Sequence, residues 1–332
     1  MPRHSFRYWR LHAVCSPSWP IEENNRRRAN RSIRFYPTIS SVSHWFNEKR
    51  GLALGIVVAG SSLGGVAWPI LIQFLIEHIG YAWAVRTSGF ICLVLLAPGM
   101  FLVRGRVPPT KAAQPDSGVG GDLIKDIFRD GRYSWFVVGT FFVFWGMFVP
   151  FYYLPDYGKS HGMSSDDANY LLAYLNAGSL VGRVLSGFLA DKLGRFNISL
   201  SCALLSAILL LSLHKCTVPS TIIVFSTLYG LFSGGLISLQ SACIAQITPN
   251  IFHVGLKIGL MMAACSLVAL TGPPIAGIIL TFNSKNAGET PSGEHILKWE
   301  GLINFAGIIM LGGCVAVAWS RWKIQNKLFA RV

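Results

Sequence analysis

The stretch Asn176–Arg195, "NAGSLVGRVLSGFLADKLGR", decides the fold. Its first part is apolar, with small residues at every fourth position, Gly178, Gly182 and Ser186. On a helix these form one narrow face against which a second backbone can lie closely. Arg183 interrupts the apolar run, and the chain then enters a polar turn carrying Asp191, Lys192, Gly194 and Arg195. Arg183 precedes Asp191 by eight residues, about 12 Å along a helix axis. A cation buried that far below a membrane surface needs a carboxylate, backbone carbonyls or an aqueous cavity. The stretch therefore reads as a membrane helix holding one deep cation and ending in a charged turn, of which Gly194 supplies the tightest point.

The rest of the chain agrees. Of 332 residues, 52% are hydrophobic and 13% charged, about half the charge of an ordinary soluble domain. Apolar runs at 51–76, 83–103, 134–155, 168–190, 197–214, 219–246, 255–282 and 301–320 are each long enough, or nearly so, to cross a hydrocarbon core of about 30 Å. Eight spans are expected, with no secretory signal ahead of them. The net charge of +14 is placed beside these runs, where basic residues orient a membrane protein rather than bind nucleic acid. At one set of span ends fifteen lysines and arginines fall, among them Lys49, Arg50, Arg129, Arg132, Lys192, Arg195, Arg321 and Lys323; the other set has five. The first set is assigned to the cytosol, with both termini on that side. The seven cysteines are scattered through apolar runs without metal or redox spacing. They read as packing residues.

Two segments stand apart. Residues 1–35 hold eight arginines among Pro, Trp and Asn without helical or strand periodicity. A nucleic-acid arm or a mitochondrial presequence is one reading; Glu22, Glu23, two prolines and the absence of a clean amphipathic face stand against the presequence, and a disordered tail or a misassigned start is the expectation. Residues 105–133, rich in Pro, Gly and mixed charge, read as a cytosolic linker. It divides the spans two and six.

Gly187–Arg195, "GFLADKLGR", resembles the cytoplasmic loop signature of the major facilitator superfamily. Trp45–Gly65, "WFNEKRGLALGIVVAGSSLGG", looks like the approach to the fifth helix of monocarboxylate transporters, in the fungal branch that includes riboflavin-transporter-like members, and Gly272–Gly277, "GPPIAG", resembles that branch's eleventh helix. The resemblance implies an all-α fold of two helical halves joined by a cytosolic loop. It identifies the eight spans with family helices five to twelve and leaves the first four absent. On this reading, residues 36–104 are a remnant of the first half with two spans, 134–322 the six-helix second half, and 323–332 a cytosolic tail.

The resemblance also implies roles. Arg183 matches an arginine that binds the substrate carboxylate, for which a guanidinium can donate two parallel hydrogen bonds. Asn176, Ser179, Trp145, Tyr152, Tyr229 and Gln240 are expected to line the same cavity. Ser179 stands where proton-coupled members carry an aspartate, so the resemblance does not extend to a proton-sharing acid. Lys49, Arg50, Gly187, Asp191, Lys192, Gly194 and Arg195 are expected to form a cytosolic gate, with Asp191 reaching the Lys49–Gly51 region. Three small-residue ladders, Gly51, Gly55 and Ala59, then Gly178, Gly182 and Ser186, then Gly255, Gly259 and Ala263, are expected to pack helices. The first should meet the second, while the third should lack a partner.

The function expected is secondary transport of a small organic anion, a monocarboxylate or riboflavin-like molecule, by alternating access in a plasma or vacuolar membrane. The rival is a truncated, non-transporting membrane protein. No constellation of His, Asp or Glu suggests an enzyme, a metal or a cofactor, and the partners expected are the bilayer and the substrate, with no nucleic acid. Oligomeric state stays open.

Overall fold

A computed structural model describes residues 50–102, 125–249, 251–285 and 298–324. The predicted tail at 1–35, Lys49, most of the linker and the last eight residues lie outside the described residues. Seven long helices make up nearly everything described: α1 Arg50–Leu102, α2 Gly131–Ser160, α3 Ser165–Leu193, α4 Arg195–Ser212, α5 Pro219–Ile247, α6 Ile251–Lys285 and α7 Glu300–Ile324. All seven are long and apolar enough to cross a membrane.

The first two expected spans are one helical run of 53 residues broken at a single point. Gly80 has φ 76° and ψ 162°, outside the helical region and open to glycine alone without strain. Residues 50–79 and 81–102 are about 45 Å and 33 Å long, so each arm is long enough to span a bilayer by itself. The expected spans 51–76 and 83–103 leave a connection over 77–82, flanked or entered by polar Gln73, Glu77 and His78. Instead they stay helical, Gln73 bonding Glu77 at 3.4 Å and the His78 ring meeting the Phe74 carbonyl at 2.9 Å.

Helix ends follow local chemistry. At α3 the Ser164 hydroxyl accepts from the Asp167 amide at 3.1 Å and donates to the Asp167 carboxylate at 2.8 Å, satisfying a first-turn amide that no helical carbonyl reaches. Asp130 does the same for α2 through the Arg132 amide. Pro219 opens α5, where its missing N–H costs nothing. α3 passes into α4 through Gly194 alone, at φ 98°, the tight turn that the signature glycine implied. In α6, Pro273 and Pro274 each remove a ladder hydrogen bond, and the Tyr153 hydroxyl of α2 donates to the Pro273 carbonyl at 2.7 Å.

The core joins α2, α3, α4, α5, α6 and α7, with Tyr133, Phe136, Met147, Leu171, Leu175, Phe196, Ile222 and Tyr229 fully buried. α3 packs most extensively on α5, α2 on α7, and α1 on α3. Exposed faces are as apolar as the core: Leu93, Val94, Leu95 and Leu96 are each about two-thirds exposed. In water such a face would drive association. In hydrocarbon it is solvated, and the close helix contacts rest on small residues and dispersion instead.

Candidate functional site

Arg183 is 95% removed from solvent, at 5% exposure. It projects from α3 across the seam to α1, where Nη1 donates to the Val58 carbonyl at 2.6 Å and to the Ser61 hydroxyl. Ser61 itself bonds the same carbonyl at 3.0 Å. No carboxylate among the described residues pairs with Arg183, and its Nε is buried without a partner. One turn farther from the charged turn, the Ser62 hydroxyl donates to Ser179 at 3.2 Å, both side chains fully buried. A turn further, Asn176 donates to the Leu172 carbonyl at 2.9 Å and lies against Gly65 of α1, where any β-carbon would collide with its amide.

Toward the charged turn the seam tightens. Gly51 and Gly187 lie backbone to backbone: a β-carbon on Gly51 would stand 2.8 Å from the Gly187 carbonyl oxygen, and one on Gly187 would stand 2.5 Å from that of Gly51. Asp191 of α3 then accepts two hydrogen bonds from the first turn of α1, from the Gly51 amide to Oδ1 and the Leu52 amide to Oδ2, each at 2.9 Å. A carboxylate at a helix N-terminus meets unsatisfied amides and the positive end of the helix dipole. Arg195 Nη2 lies 3.5 Å from the same carboxylate, and Lys192 sits over the Phe188 ring at 4.2 Å. The expected reach of Asp191 to the start of the first span is thus present in detail. Lys49 and the Arg50 side chain lie outside the described residues.

The small-residue ladders divide otherwise than expected. Gly55 does meet α3, at the Arg183 carbonyl. Gly178 and Gly182, however, face α5, against the backbones of Thr227 and Leu231. Gly230 and Gly234 reciprocate against Leu175 and Ser179. α3 therefore carries two small faces, one for each neighbour. On α6, a β-carbon built on Gly259 meets no atom within 4 Å, and Ala263 is exposed.

The predicted aromatic lining is dispersed. Tyr229 is completely buried, stacked on Phe225, with its hydroxyl donating to the Met147 carbonyl at 3.1 Å. It is a strut between α5 and α2, not a face open to a ligand. Tyr152 is half exposed beside Phe148. Trp145 lies edge-on to Phe141 with its indole nitrogen buried and unbonded, close to Gly272 of α6. Gln240 is 3% exposed, and neither amide atom has a partner. Arg183, Ser179 and Asn176 are brought together along one seam. Tyr152, Trp145 and Tyr229 are not part of it. The residues missing from the expected site are Ser61 and Ser62, whose signal was visible as two adjacent hydroxyls inside the apolar run "AGSSLGG". Among the described residues no group of His, Cys, Asp and Glu could hold a metal ion.

A polytopic bundle of apolar helices, with a glycine-pivoted charged turn closing one end of a seam and a deep cation farther in, defines a membrane carrier architecture. The Major Facilitator Superfamily model matches residues 32–216, more than half of the chain, and the chain belongs to that superfamily. It is 51% identical over 291 residues to the MFS-type transporter pynF of Aspergillus niger, covering 88% of this chain and 63% of that protein. It is 41% identical over 245 residues to the aspyridones efflux protein apdF of Emericella nidulans, covering 74% and 49%. With the agnestins efflux protein AgnL12 of Paecilomyces divaricatus it shares 36% identity over 300 residues, covering 90% and 64%. The chain spans between about half and just under two thirds of the length of these relatives.

Proposed function

We propose that the protein serves export of a small organic molecule bearing a carboxylate or comparable anionic group, by a movement that opens and closes the α1–α3 seam. The observation that carries this reading is Arg183: a guanidinium 5% exposed, held by a carbonyl and a hydroxyl of α1, with no carboxylate of its own among the described residues. A buried charge left so is costly, and an anionic substrate would supply the missing counter-charge. Export rather than uptake is taken from the relatives whose names specify efflux. The monocarboxylate and riboflavin readings narrow here to the anionic group that Arg183 can bind. With Ser62 and Ser179 in place of an acid, coupling does not pass through a proton shared at Arg183.

In this reading the closed seam is one end state. Asp191 holds α1 at the charged turn while Arg183 holds it farther in, and substrate competes with Val58 and Ser61 for the guanidinium. Arg183→Lys keeps the charge and loses the planar fork. Export of labelled carboxylic acids from cells expressing the chain is expected to fall about tenfold, as the loss of one charge-assisted hydrogen bond implies, at unchanged membrane abundance. Equal export by the variant would remove Arg183 from the site, and no export by the parent chain would favour the non-transporting alternative.

A further inference from the structure

The outer face formed by α2 and α7 carries an elongated apolar groove of about 590 Å³ away from the α1–α3 seam. Its walls are Trp135, Val138 and Phe142 on α2 and Ile309, Val315 and Trp319 on α7, with Gly312 as floor. Nothing stands within 4 Å of a β-carbon built on Gly312, so the floor is open space. From Ile309 to Trp319 the groove runs about 15 Å at 1.5 Å per residue, half of a hydrocarbon core of about 30 Å. Its depth is that of a single leaflet.

One end is marked by chemistry. Trp135 and Trp319 meet edge to face at 6.5 Å, and one turn beyond them both helices end in basic residues. Lys323 of α7 lies over the start of α2, its ammonium 2.9 Å from a β-carbon built on Gly131. The Ser320 hydroxyl donates to the Arg132 carbonyl at 2.6 Å and fixes the two ends together. Arg132 has a side chain 46% exposed and pairs with Asp130 at 3.1 Å; Lys257 approaches that carboxylate at 3.9 Å. Lys323 and Arg132 thus stand at the mouth with the Asp130 carboxylate beside Arg132, while Lys257, 7% exposed, reaches that carboxylate from the buried side on α6. Paired tryptophans mark an interface between hydrocarbon and headgroups, and the excess of cations marks the anionic leaflet.

We infer that this groove is a site for one anionic phospholipid of the cytosolic leaflet, with an acyl chain between Trp135, Phe142 and Gly312 and its headgroup phosphate beside Lys323 and Arg132. A sterol would fill the slot and leave the excess positive charge at the mouth unmatched. A second copy of the chain would bring like charge to the same mouth.

The test uses the full chain in detergent, titrated with phosphatidylserine or with phosphatidylcholine of the same acyl chains, retained lipid being counted by native mass spectrometry. Phosphatidylserine should be held more tightly, and the double variant Lys323→Gln, Arg132→Gln should lose about 25-fold of that affinity, about fivefold per cation. Gly312→Phe, which enters open space and so leaves the lipid-free melting temperature unchanged, should weaken retention of both lipids. Equal retention of the two lipids by the parent chain, or undiminished phosphatidylserine binding in Gly312→Phe, overturns the inference. So does a dimer of the parent chain that Gly312→Phe dissociates, because the groove then belongs to a second copy.

Discussion

α3 presents one glycine-lined face to α5 and another to α1, and the two contacts are built differently. Against α5 the contact is backbone on backbone, Gly178 and Gly182 on Thr227 and Leu231, Gly230 and Gly234 on Leu175 and Ser179. A polar contact between side chains there, Ser186 to Ser238, is long, at 3.4 Å. Against α1 there are again glycines, Gly51, Gly55 and Gly187, but charge and hydroxyl bridges are added at three levels, through Asp191, Arg183 and the Ser62–Ser179 pair. Backbone lying directly on backbone gains dispersion contacts that lipid tails cannot match as closely, and gives a fixed unit. Polar bridges can be exchanged for water or ligand with little net loss. The difference supports the proposed opening at the α1 seam, with α3 and α5 moving as one body.

That contrast can be broken by four substitutions, taken from the largest expected effect to the smallest. Gly182→Ala places a β-carbon on the Leu231 carbonyl, which is backbone and cannot turn aside. A cost of about 3 kcal/mol is expected, read as a loss of monodisperse protein and a lower melting temperature. An unchanged melting temperature would show that the α3–α5 contact is as yielding as the other. Asp191→Asn retains size and removes the charge facing the first turn of α1. About 2 kcal/mol of seam stability should go, while the α3–α5 unit stays intact. A cysteine introduced at Leu54, 0% exposed in the closed seam, should then label faster with maleimide at a nearly unchanged melting temperature. Ser62→Ala removes one neutral hydrogen bond, worth about 0.6 kcal/mol between membrane helices. It should shift the same labelling rate slightly, without effect on yield. Gly259→Ala enters open space and should fall within about 0.5 kcal/mol of the parent in thermal melting; a larger loss would show that this face of α6 is packed.

Much of this was legible in the sequence because it depends on local chemistry. The signature turn fixed Gly194 as the bend and pointed Asp191 at the start of the first span, and both follow from a short segment with few ways to satisfy its polar groups. The apolar runs gave the seven long helices, the first two runs as the two arms of α1. The partner of the Gly178–Gly182 face was not legible, since a ladder of small residues shows that a helix packs closely and leaves the neighbour unnamed. Nor was the fate of Tyr229 or Tyr152: helical spacing places an aromatic on a face, and only the assembled bundle shows whether that face meets a core, lipid or a cavity. Gly80 was ambiguous for a similar reason. One glycine is enough to end a helix, yet polar Glu77 and His78 beside it imitate a longer loop. Ser61 and Ser62 were visible as hydroxyls in an oily run, but their meaning appeared only when Arg183 was found across from them.

The cap of α1 comes from another helix. The Gly51 and Leu52 amides end on Asp191, so the first turn of α1 has its hydrogen bonds completed only while the seam is shut. When the helices part, those amides and the carboxylate must each find water, and a turn rich in glycine, Gly51 and Gly55 lying one turn apart, has little propensity to stay wound. Opening therefore unravels the end of α1 as well as displacing it. Under the proposed movement, slow amide hydrogen exchange at Gly51 and Leu52 is the expected signature of the shut state, and its loss would time the opening.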